Sequence, residues 1–290
     1  MRKYLFFLLL QSSICLQYTQ FPKKNSNNNY ALENNLRVVP LIPPVITKNL
    51  PSLNHISEKI DIYDICTIES LYRSLIKPLQ YLSITELESV KIAITVAYIA
   101  HYEQKRPHGE MFIMHPISIA TILADLKVDS FTIISALLHD TLKDTLLTSD
   151  EIENLFGLSI CRIVEGVTKA SHLSKCNIEQ LPLQEEIINT KTMRNEYLRD
   201  LMLSITKDWR ILYIKLTDRL HNMRTLEHLP IEKRNKIAMQ TFEIYVPLAK
   251  RVDFWKYSSE LEDLTFKHIN PNAYNQTFHT IHNMGIFHKN

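Results

Sequence analysis

Glycine is nearly absent from this 290-residue chain: Gly109, Gly157, Gly166 and Gly285 are all there are, and they are far apart. Rossmann and P-loop nucleotide sites need clustered glycines, because only a backbone without Cβ atoms closes tightly on phosphates. Both are therefore excluded. The tight turns of a many-stranded β protein also draw on glycine. A helical fold remains, and from about residue 60 onward the apolar pattern is helical.

Val90, Ala93, Ile94, Ala97 and Ala100 form one stripe over a predicted helix at Thr85–Gln104. Met114-His115-Pro116 reads as a helix start, with Pro116 suited to the first helical position and His115 at or near the cap. Asp129–Lys143 reads as one strongly apolar helix. Thr148 and Glu151 form a capping box that opens a short helix ending at Gly157. Further helices are predicted at Ser159–Lys169, at Glu185–Thr206, from Asp208, and near 231–250 and 255–268. No run shows strand alternation, and no internal repeat is visible. The expected fold class is all-α, with helices around one core; hydrophobic residues at 45% are enough to fill it.

The first 60 residues differ from the rest. Arg2 and Lys3 precede a short apolar run, Tyr4–Leu10, and then small residues, the shape of a secretory signal peptide. The run is too short to span a bilayer. Lys23, Lys24 and an Asn-rich, acid-poor stretch follow, which resembles a transit peptide. Signal followed by transit predicts delivery to a plastid of secondary origin; secretion is the alternative. Pro40, Pro43, Pro44 and Pro51 mark a linker. The expected organisation is a targeting segment and linker at 1–60, the main domain at 61–230, following helices at 231–270 and a tail without readable structure at 271–290. The 33 basic and 31 acidic residues nearly cancel, so charge does not indicate nucleic acid. Cys15, Cys66, Cys161 and Cys176 form no CxxC pair, which excludes a zinc knuckle or dithiol motif.

Four residues carry chemistry. His139-Asp140 ends the apolar run Ser135–Leu138, Asp218 follows Ile214–Thr217, and His115 opens a helix. Polar groups in apolar surroundings need partners, and a metal ion would satisfy them. Two imidazoles with two carboxylates suit Mn²⁺, Fe²⁺ or Mg²⁺ better than a structural zinc.

Several longer stretches resemble the hydrolase domain of the RelA/SpoT alarmone enzymes across residues 84–270. They are Lys215–Leu226 (KLTDRLHNMRTL), Gln104–Pro116, Ala136–Asp140 and Val164–Lys169, with Phe242–Arg251 and Glu260–Leu264 resembling the helices that follow. The resemblance implies the HD-domain helical fold. It implies one divalent metal, usually manganese, on His115, His139, Asp140 and Asp218. It implies that Arg106 packs near a guanine, with His108 in the nucleotide-facing loop, and that Asn222 and Thr225 help hold the nucleotide. The implied reaction removes the 3′-diphosphate of guanosine tetra- or pentaphosphate, giving GDP or GTP and pyrophosphate.

The family pattern HDxxED is broken here: the chain reads His139-Asp140-Thr141-Leu142-Lys143-Asp144. On a continuous helix Lys143 shares the face of His139. At ~6 Å and an effective dielectric of ~20, an ammonium and a divalent cation repel by roughly 5 kcal/mol. Three outcomes follow: Asp144 orients the water in slow hydrolysis, a neutral Lys143 acts as base, or the domain only binds the alarmone. An HD phosphohydrolase for another nucleotide is a further reading. His108 and Met111 also depart from the pattern. The roughly twenty residues after 270 are too few for a synthetase domain, so alarmone synthesis is not expected.

Overall fold

The computed structural model describes residues 49–176, 198–199, 201–203, 205–252 and 254–283. The targeting segment, most of the helix expected at Glu185–Thr206 and the end of the tail lie outside the described residues. Among those described there is no strand; Lys105 and Met111 form one isolated antiparallel bridge.

A 3₁₀ turn at Pro51–Leu53 and one helical turn at Asn54–Ser57 lead into α1 (Ile62–Ile76). Then come α2 (Ile84–Ala100), α3 (Met114–Asp125), α4 (Ser130–Leu138), α5 (Thr141–Asp144), α6 (Ser149–Phe156) and α7 (Leu158–Cys176). Beyond the undescribed stretch are α8 (Arg210–Arg224), α9 (Ile231–Gln240), α10 (Val246–Arg251), α11 (Trp255–Ile269) and α12 (Pro271–Asn283). No described helix is long and apolar enough to cross a membrane.

Caps explain several helix starts. Ser83 and Glu86 close a capping box on α2, Thr148 and Glu151 on α6, and Asp61 and Asp64 on α1, each satisfying orphan N–H groups. Gly157 ends α6 with φ +87°, a conformation L side chains avoid. α4 is the centre of the fold. Every residue in it except Phe131 is buried, and it packs against α2, α3 and α7. The second half of α2, Ala93 to Ala100, is likewise buried on all sides.

Several expectations are corrected. The helix expected over Asp129–Lys143 breaks at His139-Asp140, where Thr141 Oγ1 donates to the Leu138 carbonyl at 2.7 Å. The helix near 231–250 is interrupted by a π turn at Thr241–Tyr245. It stands just before Pro247, whose missing N–H leaves residue 243 without its usual donor. Pro116 occupies the third position of α3, still within its first turn, and His115 the second. The tail carries α12, with Pro271 at its start and Asn270 Oδ1 accepting from the Ala273 N–H at 3.1 Å. Packing also begins before residue 61. Leu50 and Leu53 are fully buried, and Ser52 donates twice to the Glu151 carboxylate, at 2.8 and 2.7 Å.

The core is two adjoining clusters and not one. The first gathers α1 to α4 with part of α7; the second gathers α9 to α11 around Leu212, Leu216, Leu220 and Met223. α8 serves both, because Ile211 and Ile214 face the first cluster. The polar face of α8 between these apolar rows is where the site forms.

Candidate metal centre

The four sequence-singled residues arrive from three helices. His115 comes from the first turn of α3, His139 and Asp140 from the break after α4, and Asp218 from the middle of α8. Ligand atoms of His115, His139 and Asp218 lie within 4.8 Å of one another. Asp140 Oδ2 is 3.1 Å from His139 Nε2 and 3.7 Å from His115 Nε2, and His115 Nε2 is 3.4 Å from Asp218 Oδ1. His115 and His139 are 2% and 1% exposed, so bulk water does not satisfy them.

His139 Nδ1 lies 2.8 Å from the Ala136 carbonyl, which can only accept. The ring proton of neutral His139 is therefore on Nδ1, and the Nε2 lone pair faces the cluster. That Nε2 is buried and forms no hydrogen bond. A backbone carbonyl one turn back fixing one ring nitrogen while the other stays bare is the arrangement of a metal-binding histidine.

Charge points the same way. Asp218 is gripped by Lys215 Nζ at 3.0 Å on Oδ2 and by Asn222 Nδ2 at 2.6 Å on Oδ1. Residues 215, 218 and 222 follow the i, i+3 and i, i+4 spacing of one helix face. Burial would raise the Asp218 carboxyl, but Lys215 and then His115 hold it well below the usual range. Asp140 is likewise held low against burial, chiefly by His139. Burial opposes a charge on His139, yet Asp140 and Asp218 keep its pKa above the ordinary value. Two carboxylates against one buried ammonium leave the cluster short of positive charge. A cation held by the cluster would supply it. The donor set of two nitrogens and two carboxylates fits a divalent cation.

Beside the cluster is a cavity of about 360 Å³ whose walls include Arg106, His108, Lys143, Asp144, Asn222 and Thr225, all six of the other residues the sequence singled out. Arg106 forks between His221 Nδ1 at 3.3 Å and Asn222 Oδ1 at 2.9 Å. His108 stacks on His228 with centroids 4.6 Å apart and lies 3.1 Å from the Glu110 carboxylate. Lys143 Nζ stands 4.0 Å from Asp144 Oδ2. The Asp144 carbonyl accepts from Gln104 Nε2 at 3.0 Å, tying α5 to the loop before α3. Thr225 Oγ1 turns back to the His221 carbonyl at 3.3 Å.

Residues the sequence reading did not single out also belong here. Lys215 is 5% exposed and also donates to Ser171 Oγ at 3.0 Å. Arg219 lines the cavity and lies over the Tyr245 ring at 4.1 Å. His221 touches both Arg106 and His115. Lys215 and His221 sit on the Asp218 face of α8 at intervals of three, the one signal that could have found them.

A helical bundle that gathers two histidines and two aspartates beside an open, cation-lined cavity has the form of a hydrolase-type domain with a candidate site for a divalent metal. The HD domain family model matches residues 93–255, which brackets all four cluster residues. The chloroplastic protein RSH1 of Oryza sativa subsp. japonica is 42% identical over 221 residues, covering 76% of this chain and 23% of that protein. The GTP pyrophosphokinase rsh of Brucella melitensis is 43% identical over 182 residues, covering 63% of this chain and 23% of that protein. The chain thus spans about a quarter of the length of the curated relatives it matches. A solved structure of a metazoan ortholog of SpoT, described as hydrolysing ppGpp, aligns with TM-score 0.43 and 26% identity over 58% of this chain and 86% of that one. The chain belongs to the HD-domain family, in its RelA/SpoT branch.

Proposed function

We propose that this chain hydrolyses the 3′-diphosphate of guanosine tetra- or pentaphosphate with a divalent metal, Mn²⁺ by preference, releasing pyrophosphate and GDP or GTP. The observation that carries the reading is the bare, buried Nε2 of His139 facing His115, Asp140 and Asp218. His115, His139, Asp140 and Asp218 would hold the metal. The bound metal would supply Lewis-acid activation of the attacking water and of the phosphoryl group.

The chain's own residues do the rest. Arg106, Lys143 and Arg219 bring positive charge to the cavity wall, suited to a substrate with two diphosphates. Arg106 and Asn222, already hydrogen-bonded, form a rigid edge for the nucleoside, with His108 and Thr225 along the same wall. Asp144 has a half-buried carboxylate in the cavity and takes the water-orienting role that a preceding glutamate shares in the family pattern. The likeness to a chloroplastic relative supports the plastid destination expected of residues 1–60.

The test is the purified chain with Mn²⁺ and guanosine tetraphosphate, following pyrophosphate and GDP, with Asp218→Asn as control. Release that depends on metal and is lost in the control supports the reading; no release by the wild type rejects it. Lys143 supports a second reading. It places an ammonium where the family has a carboxylate, which favours binding of a polyphosphate over turnover. Tight alarmone binding without turnover would select that reading.

A further inference from the structure

His221 lies between the nucleotide-side arginine and a metal-side histidine, and no role above is given to it. Its Nδ1 is 3.3 Å from Arg106 Nη1 and 2.9 Å from His115 Nδ1. Two imidazole nitrogens at that distance share one proton, and the donor is fixed by the third group. A guanidinium has five donors and no acceptor. His221 Nδ1 must therefore accept from Arg106, so it carries no proton. The proton between the rings then belongs to His115 Nδ1, which shares the single His221 Nδ1 lone pair with Arg106 and is the closer donor, and the His115 Nε2 lone pair is left facing Asp218 Oδ1 and Asp140 Oδ2, at 3.4 and 3.7 Å.

The rings are held for this. His115 and His221 have centroids 4.8 Å apart and are tilted by 55°, and Phe112 meets the His115 ring edge-on at 5.9 Å. His221 is 8% exposed, so water does not compete for its Nδ1. Asn222, the next residue, takes the other arm of Arg106 at 2.9 Å and keeps the guanidinium in place. His139 reaches the same state by a different route, through the Ala136 carbonyl. For His115 the carbonyl three residues back, Phe112, accepts the His115 backbone N–H at 3.0 Å, and its Nδ1 partner is His221.

We propose that His221 is a positioning residue: through Arg106 it sets the His115 tautomer, so that both histidines present bare Nε2 atoms to one cation. The proposal rests on the metal-site reading above.

The test uses the full chain and two variants. In His221→Phe the ring shape stays and the acceptor is lost. In His221→Asn the amide Oδ1 restores an acceptor close to the position of Nδ1. Mn²⁺ affinity is measured by titration calorimetry without nucleotide, and thermal melts show that each variant folds. Loss of an outer-shell partner weakens metal binding by about 10–100-fold. That loss is expected for His221→Phe, with His221→Asn close to wild type. Long-range ¹H–¹⁵N NMR on the metal-free wild type, assigned against His115→Gln, reads the tautomer directly. It should show His115 protonated on Nδ1 and bare on Nε2.

A His115 proton on Nε2 overturns the proposal whether or not the variants fold. Wild-type affinity in His221→Phe, or equal weakness in both variants, overturns it as well. If the wild type binds no Mn²⁺, the metal-site reading fails and takes the metal part with it; the NMR result decides the tautomer independently.

Discussion

Lys215→Met separates a structural ion pair from a metal site. Lys215 Nζ stands 3.0 Å from Asp218 Oδ2, both groups deeply buried. At ~3 Å and an effective dielectric of ~20, unit charges attract by roughly 5 kcal/mol. Removing one member of such a pair destabilises a protein by about 3–5 kcal/mol, because the other charge is left without compensation. Methionine keeps the chain volume, so the loss reports charge and not packing. In chelator, urea unfolding should show Lys215→Met less stable by about 3–5 kcal/mol. If Asp218 is a ligand, an added divalent cation replaces the missing positive charge, and the deficit in saturating Mn²⁺ should shrink by at least ~1 kcal/mol. Linkage makes this equivalent to tighter Mn²⁺ binding by the variant than by the wild type. A deficit unchanged by Mn²⁺, or one below ~1 kcal/mol in chelator, would refute the reasoning: Asp218 would then be a plain salt-bridge partner.

Lys143→Glu restores the family pattern beside Asp144 and should raise pyrophosphate release by about 10²-fold, the contribution of a placed general base; an unchanged rate shows that Lys143 does not limit the site. His221 is pushed down to about 3, first by burial and then by His115 and Arg106, with Asp218 opposing. Its contribution to stability is present above ~6.5, the unfolded pKa, and is lost as pH falls toward about 3, so the metal-free chain should lose about 2 kcal/mol between pH 7 and pH 5 on its account. Urea unfolding of His221→Asn at those two pH values should show a correspondingly flatter dependence. Leu53→Ala should destabilise the chain by about 2–5 kcal/mol in the same assay, since Leu53 is fully buried; a loss under ~0.5 kcal/mol would return the segment before residue 61 to the linker.

How much of this was legible in the sequence divides by the range of the interaction that decides it. Helix starts set by caps are local, and the Thr148–Glu151 box with its Gly157 stop is found where the residues place it. The tail carried the same kind of signal in Asn270 and Pro271, but a segment rich in His and Asn hid it. Breaks inside apolar runs are less legible, because periodicity continues through them. The apolar run ends at Leu138, yet Leu142 one turn on keeps the helical spacing across His139-Asp140, and only the Thr141 hydroxyl and the His139 ring, both turned onto backbone carbonyls, reveal the break. The reach of the core to Leu50 depends on contacts with α6 a hundred residues away, which proline content alone could not show.

The site divides the same way. His115, His139, Asp140 and Asp218 stood out because charged or polar groups in apolar runs need partners, and the fold supplies those partners from three helices. Lys215 and His221 carry no such mark, since lysine or histidine in a polar helix face is ordinary. Their roles come from what they touch: a carboxylate that would otherwise be a second uncompensated charge, and a guanidinium that can only donate. A sequence names the groups that would bind an ion. Which of their nitrogens are bare, and how much charge the site still lacks, is decided by neighbours brought in from 44 residues away at Ser171 and 115 at Arg106. Those neighbours are therefore where variants of this chain should test whether four convergent side chains form a working metal site or only a satisfied polar core.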